Sequence, residues 1–231
     1  MADRLGEVVV LGLGRFGATI AETLIELHYE VLGIDSDPRV VEAYSTSLTH
    51  LVEADATDAH ALRQLGVADF HTAVVAIGDI EASILTTANL ADLGIPSIWS
   101  KAITDSHGKI LERVGAHHVV SPEREMGVRL AHAVTERMID FVQLDAGFAL
   151  LESRAPAEFV GKTLAQTQVR KRYGLTVVCI KPKGGTFTYA TPDTVVGEGD
   201  ILVVAGEIAR THEFADRALS LPLSPRLMTT R

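Results

Sequence analysis

Gly12-Leu13-Gly14-Arg15-Phe16-Gly17 is a GxGxxG loop. Three glycines at this spacing suit a phosphate ligand. Gly12 permits a tight turn, Gly14 lets backbone approach a diphosphate, and Gly17 lets a helix pack closely on a strand. Glycine-rich loops are common, so the weight comes from context. A buried candidate strand, Glu7–Gly12, precedes the loop and a candidate helix, Arg15–Leu27, follows it, so a helix N-terminus faces the anion. Asp35 ends the next strand, 18 positions after Gly17. That is the spacing of a carboxylate that holds a ribose hydroxyl, and it disfavours the 2′-phosphate of NADP.

Other reactive types fall on the same edge. Arg15 lies inside the loop, where a guanidinium can reach a phosphate beyond the diphosphate or lie solvated on the helix face. Asp55-Ala56-Thr57 ends the third strand; it can line a ligand crevice or start a helix through an Asx turn. Ile77-Gly78-Asp79 follows the fourth strand and Lys101 the fifth, where its charge serves a triphosphate or is simply solvated. His117 and His118 are adjacent on a strand and point to opposite faces, which argues against a shared metal. Glu123 and Glu125 complement a helix N-terminus; beside a polyphosphate they make sense only with a cation between.

The elements that must position these groups alternate. Short apolar runs at Glu7–Gly12, Glu30–Ile34, His50–Glu53, Thr72–Ile77, Ser97–Ser100 and His117–Val120 read as strands buried on both faces. Helical spacing fills Arg15–Leu27, Pro38–Ser45, Ala59–Leu65, Ile80–Leu93 and Ser106–Val114, with Gly66, Gly94 and Gly115 where left-handed caps are wanted. The expectation is an α/β, Rossmann-like, doubly wound parallel sheet. A helix from Pro122 to about Ile139 then has no further strand to feed and is free to cross to another subunit or domain. Beyond it, strands at Phe148–Ser153, Thr176–Lys181, Thr186–Ala190 and Asp200–Ala205, with helices at Leu164–Arg172 and Ile208–Leu219, predict a smaller α+β unit. The expected domains are 1–140 and 146–220, with a frayed tail at Leu221–Arg231.

Composition sets the outer limits. The 231 residues carry one cysteine, Cys179, so neither an intrachain disulfide nor a cysteine zinc site is available. The acidic start of the chain and the lack of an apolar run of about 18 residues predict a cytoplasmic protein with no membrane insertion of its own. The net charge of −9 argues against nucleic acid as a partner. Residues 1–140 hold 10 basic and 21 acidic side chains, a balance of −11, whereas residues 141–231 hold 11 and 9, a balance of +2. The second unit has no histidine before His212 and no Ser–His or Cys–His arrangement, so an NAD(H)-dependent oxidoreductase would lack a catalytic acid. An NAD redox sensor acting on DNA would lack a basic DNA-binding module.

Taken together these segments resemble a family, the RCK-type (KTN) cytosolic regulatory subunits of bacterial Ktr and Trk potassium uptake systems. The likeness runs over residues 5–218 and is nearest the Ktr subunit. Beyond the loop and Asp35, it includes Ala54-Asp55-Ala56-Thr57, Val75-Ala76-Ile77-Gly78 and Leu85-Thr86-Thr87. Ile98-Trp99-Ser100-Lys101-Ala102 and Ser121-Pro122-Glu123-Arg124-Glu125-Met126-Gly127 are its most specific stretches. Gly161-Lys162-Thr163-Leu164, Arg170, Tyr173-Gly174 and Gly199-Asp200 resemble the RCK carboxy-terminal domain. The resemblance implies a non-enzymatic octameric ring, peripheral at the inner face of the membrane, that docks on a potassium translocator and gates it. It implies that ATP favours the active ring and ADP the inactive one. It assigns the γ-phosphate to Arg15, ribose and adenine to Asp35, Ser36, Asp37, Asp55 and Ala56, and the rest of the lining to Ile77, Gly78, Lys101 and His107. It gives Glu123 an Mg²⁺ or Na⁺ between nucleotides of two subunits. Some relatives bind cyclic di-AMP in the second domain. Here Gln166, Thr167 and Gln168 replace the Asp and Asn common before Arg170, which argues against that ligand.

Overall fold

A computed structural model describes residues 6–134 and 138–218. The chain divides into two compact units, Met1–Glu123 and Arg124–Arg231. In the first, β1 (Glu7–Leu11), β2 (Glu30–Asp35), β3 (His50–Glu53), β4 (Thr72–Val75), β5 (Ser97–Lys101) and β6 (His118–Val120) form one parallel sheet in the order β3-β2-β1-β4-β5-β6. The five helices between them are α1 (Arg15–Glu26), α2 (Pro38–Tyr44), α3 (Ala59–Gln64), α4 (Ile80–Asp92) and α5 (Asp105–Arg113).

Alternation along β1 divides the core. Val8 and Val10 pack with Ala21, Ile20 and Leu24 of α1, while Val9 and Leu11 pack with Leu62 of α3 and Leu90 of α4. Both faces of β1 are therefore buried, as its apolar run requires. The strand order reverses direction between β1 and β4, and this switch point opens a crevice at the carboxyl ends of the strands. Gly66, Gly94 and Gly115 take φ values of 71°, 77° and 114°, as helix-ending glycines should.

The helix α6 (Pro122–Val134) spans the boundary between the units, and the second unit continues with β7 (Asp140–Gln143), β8 (Phe148–Arg154), β9 (Thr176–Lys181), β10 (Thr188–Tyr189) and β11 (Ile201–Glu207). These strands pair antiparallel in the order β10-β9-β11-β8-β7. The short helices α7 (Leu164–Thr167) and α8 (Val169–Tyr173) and the longer α9 (Ile208–Ala218) complete it. Its core gathers Leu151, Leu202, Val204 and an aromatic group of Phe159, Tyr173 and Phe214, with centroids 5.4–6.2 Å apart.

Three expectations change. The helix begun at Pro122 does not continue to Ile139: α6 is helical to Val134, and Asp140–Gln143 is instead an edge strand on β8. Met138, expected inside that helix, is buried with Phe141 in the second unit's core. The expected helix Leu164–Arg172 is broken at Gln168, where φ is +51°. The Thr167 hydroxyl donates to the Leu164 carbonyl at 2.7 Å, a local bond that competes with helix continuation. The strand expected over Thr186–Ala190 shrinks to Thr188–Tyr189. The tail expectation lies outside the described residues.

Candidate functional site

The crevice is built by backbone first. Gly12 has φ +90°, and a Cβ there would lie 3.0 Å from the Ile77 nitrogen. At Gly17 a Cβ would lie 1.9 Å from the Gly12 carbonyl oxygen, so α1 can start where it does only because this residue has no side chain. Gly14 is different: φ is −61° and nothing lies within 4 Å of a Cβ position. Its missing side chain leaves open the space above the loop, where a diphosphate approaches backbone.

Asp35 ties the crevice together. Its Oδ2 accepts the Leu13 N–H at 2.7 Å and its Oδ1 accepts the Asp37 N–H at 2.9 Å. A carboxylate has about four lone-pair sites, so a ribose hydroxyl can still donate to it. Opposite, Asp55 makes the Asx turn, accepting from the Thr57 N–H at 2.8 Å and its hydroxyl at 2.7 Å. The Thr57 bonds hold the Asp55 carboxyl below the usual carboxylate range. The Asp55 turn lines the crevice but does not start the helix: α3 is capped by Asp58, which accepts the His60 N–H at 2.8 Å.

The resulting cleft has a volume of about 200 Å³. It brings together Gly12, Gly14, Asp35, Ser36, Asp55, Ala56, Thr57, Ile77 and Gly78 from four strand ends. Asp37 does not line it. Its carboxylate caps α2 through the Arg39 N–H at 2.9 Å and pairs with the Arg39 guanidinium at 2.8 Å. His107 does not line it either. The imidazole is 1% exposed, accepts the Ile103 N–H at Nδ1, and is held below its ordinary pKa by burial. Asn89 was not legible as a site residue. Its amide donates 2.8 Å to the Thr57 carbonyl and so braces the cleft wall from α4. A polar residue at a helix position facing the sheet was the available signal.

Beside the loop lies a second group. The Lys101 ammonium is 2.6 Å from Glu123 Oε1 and 5.6 Å from the centroid of the Phe16 ring. The Lys101 hydrogen bond, then the backbone N–H of Glu123 itself, hold the Glu123 carboxyl below its ordinary range, with the Arg15 charge a smaller contribution. Arg15 itself is exposed at the first position of α1. Among the described residues no group of three or more His, Cys, Asp or Glu could hold a metal ion. Glu123, already paired with an ammonium, does not by itself fit a cation in one chain.

Comparisons with known proteins meet this geometry. The TrkA-N domain matches residues 8–122 and the TrkA-C domain residues 151–219. Ktr system potassium uptake protein C of Bacillus subtilis (strain 168) is 38% identical over 215 residues, covering 92% of this chain and 97% of that one. The chain belongs to the Ktr and Trk family of potassium uptake proteins. Ktr system potassium uptake protein A of the same organism is 37% identical with the same coverage. Among solved structures, the GsuK RCK domain is similar at 25% identity and a TM-score of 0.51, over 92% of this chain and 46% of that one. The RCK-type fold expected from the loop and its flanking strands is the fold of this family. No helix among the described residues is long and apolar enough to cross a membrane.

Proposed function

We propose that this chain is the nucleotide-sensing regulatory subunit of a potassium uptake system, without catalysis of its own. In this reading it binds ATP and ADP in the cleft and gates a membrane potassium translocator from its cytoplasmic face. The observation that carries the reading is the joined loop and ribose carboxylate: Leu13 N–H on Asp35, above an open Gly14. Asp35, Ser36, Asp55, Ala56 and Thr57 would hold ribose and base. Gly12, Gly14 and Gly78 would face the diphosphate, and Arg15 and Lys101 the phosphate beyond it. A bound nucleotide supplies charge and a discriminating phosphate, and no bond is made or broken. Glu123 would hold an Mg²⁺ or Na⁺ between the nucleotides of two subunits, where the phosphates supply the remaining ligands.

Assembly belongs to the same proposal. Met126, Leu130 and Val134 are exposed at four-residue spacing on α6, an apolar stripe of the kind that self-association buries. In the first unit, Trp99 is 38% exposed beside an apolar cavity of about 280 Å³. Both features support a homo-oligomer such as an octameric ring. Cyclic di-AMP has no part in it.

A ligand shifts a two-state assembly only by binding its states differently. Arg15 is the group placed to tell ATP from ADP. A hydrogen bond to a charged group contributes about 1.5–3 kcal/mol, so Arg15→Ala should weaken ATP about ten- to a hundredfold and ADP far less. Titration calorimetry with both nucleotides checks this. Equal losses remove Arg15 from that role, and stronger stabilisation by NADH than by either adenosine nucleotide favours an oxidoreductase.

A further inference from the structure

We infer that Asn89 is a positioning residue of the cleft, holding the Asp55 carboxylate against the nucleoside through Thr57. The inference deepens the nucleotide reading above and rests on it. Every polar group of Thr57 is bonded. Its N–H donates to Asp55 Oδ1 at 2.8 Å, and its hydroxyl donates to the same oxygen at 2.7 Å. Its carbonyl accepts the Asn89 amide N–H at 2.8 Å. The first two bonds lie inside the turn and move with it. The third comes from α4, 32 positions along the chain. The start of the turn is tied separately to β2, where the Ala54 N–H donates to the Asp35 carbonyl at 3.0 Å. Where Thr57 sits decides where the Asp55 carboxylate stands, and Asn89 sets where Thr57 sits.

The place of Asn89 in α4 fits this role. Asn is among the poorer helix formers, yet it stands at the tenth position of a 13-residue helix. It is half-buried and lies seven residues after Ala82, which lines the cleft from the first turn. Seven residues are about two turns, so both side chains fall on one stripe of α4. Asp79 caps the same helix by accepting the Ala82 N–H at 2.9 Å, directly after Ile77 and Gly78 of the lining. One helix therefore meets the cleft at its Gly78 end and at its Thr57 end, and a helix holds that spacing better than a loop. Asp55 spends Oδ1 on both Thr57 bonds, and among the described residues Oδ2 has no such partner. Oδ2 is left to accept from an N–H or O–H of the nucleoside. The donor is either the exocyclic amine of the base or a ribose hydroxyl.

The test is calorimetric titration of ADP and inosine diphosphate into the full chain, using wild type, Asn89→Leu, Asn89→Asp, Asp55→Asn and the Asn89→Leu/Asp55→Asn double variant. Melts without ligand report folding, and Asn89→Ala serves where Leu does not fit. Leu and Ala are better helix formers than Asn, so a loss of affinity is not a loss of α4. Asp55→Asn keeps one oxygen for the turn and makes the other an amide. The lost hydrogen bond corresponds to about three- to tenfold in affinity. Asn89→Leu should weaken ADP by that factor, and Asn89→Asp, which sets an oxygen against the Thr57 carbonyl, at least as much. In the Asp55→Asn background the further loss should shrink, because the acceptor being positioned is gone. A larger loss for ADP than for inosine diphosphate assigns Oδ2 to the base amine, and equal losses assign it to a ribose hydroxyl; either supports the inference. Wild-type ADP affinity in both Asn89 variants overturns it, whatever the melts show, as does an undiminished loss in the Asp55→Asn background. If wild type does not bind ADP, the underlying reading falls first, and that result is distinct from the other two.

Discussion

Asp35 does two jobs with one carboxylate. Its acceptance of the Leu13 and Asp37 N–H groups shapes the loop before any ligand arrives, and its remaining lone pairs face the cleft. Asp35→Asn keeps the shape but offers one acceptor oxygen and turns an amide N–H toward a backbone donor. A bond from a backbone N–H to a charged acceptor contributes about 1.5–3 kcal/mol. For a chain of this size each 1 kcal/mol moves the melting temperature by about 2–4 °C. Asp35→Asn should thus melt several degrees lower without nucleotide and gain less from added ADP. Differential scanning fluorimetry with and without ADP measures both effects, and an unchanged apo melt would assign Asp35 to the ligand alone.

At the scale of elements, the loop glycines separate folding from binding. Gly17→Ala puts a methyl into the Gly12 carbonyl, backbone against backbone, with no flexible side chain to yield. Overpacking of this kind costs about 1–3 kcal/mol or more, and the start of α1 must shift. Gly14→Ala meets nothing within 4 Å, and its φ of −61° suits any residue. Gly17→Ala should therefore lower the apo melt sharply. Gly14→Ala should leave the melt within a degree or two and weaken ATP and ADP together, since its methyl stands where a diphosphate comes close. Circular dichroism melts paired with calorimetry separate the two. The six parallel strands were legible because their residues are apolar without alternation and glycines end several of the helices between them. The strand ends that line the cleft were legible from the glycine loop and from the carboxyl edge of a parallel sheet. The resemblance assigns Asp37 and His107 to the nucleotide; the fold uses the first to cap α2 and buries the second. Lys101 and Glu123 are 22 positions apart. Only the fold brings them together.

At the scale of the whole molecule, sequence pattern and structure place the second unit's beginning differently. Strand and helix patterning predicts a domain of residues 146–220. The fold puts β7 ahead of that point and pairs Asp140–Gln143 with Ala149–Glu152 on β8. Arg129 of α6 grips Asp140 through paired guanidinium–carboxylate bonds, one of 2.6 Å from Nε, so β7 is held at its first residue as well as by its pairing with β8. Met138 and Phe141 are 4% and 9% exposed in the second unit's core. A fragment starting at residue 146 loses both side chains and bares the β8 edge, an invitation to edge-to-edge pairing. Burial of an apolar side chain contributes about 1.5–3 kcal/mol, so the loss is on the order of 3–6 kcal/mol. That approaches the entire stability of a small domain. We propose that residues 124–218 are the self-sufficient second domain. This fragment should unfold cooperatively in urea, whereas 146–218 should aggregate or unfold at far lower urea. Equal midpoints for the two would show that β7 adds nothing to the second core.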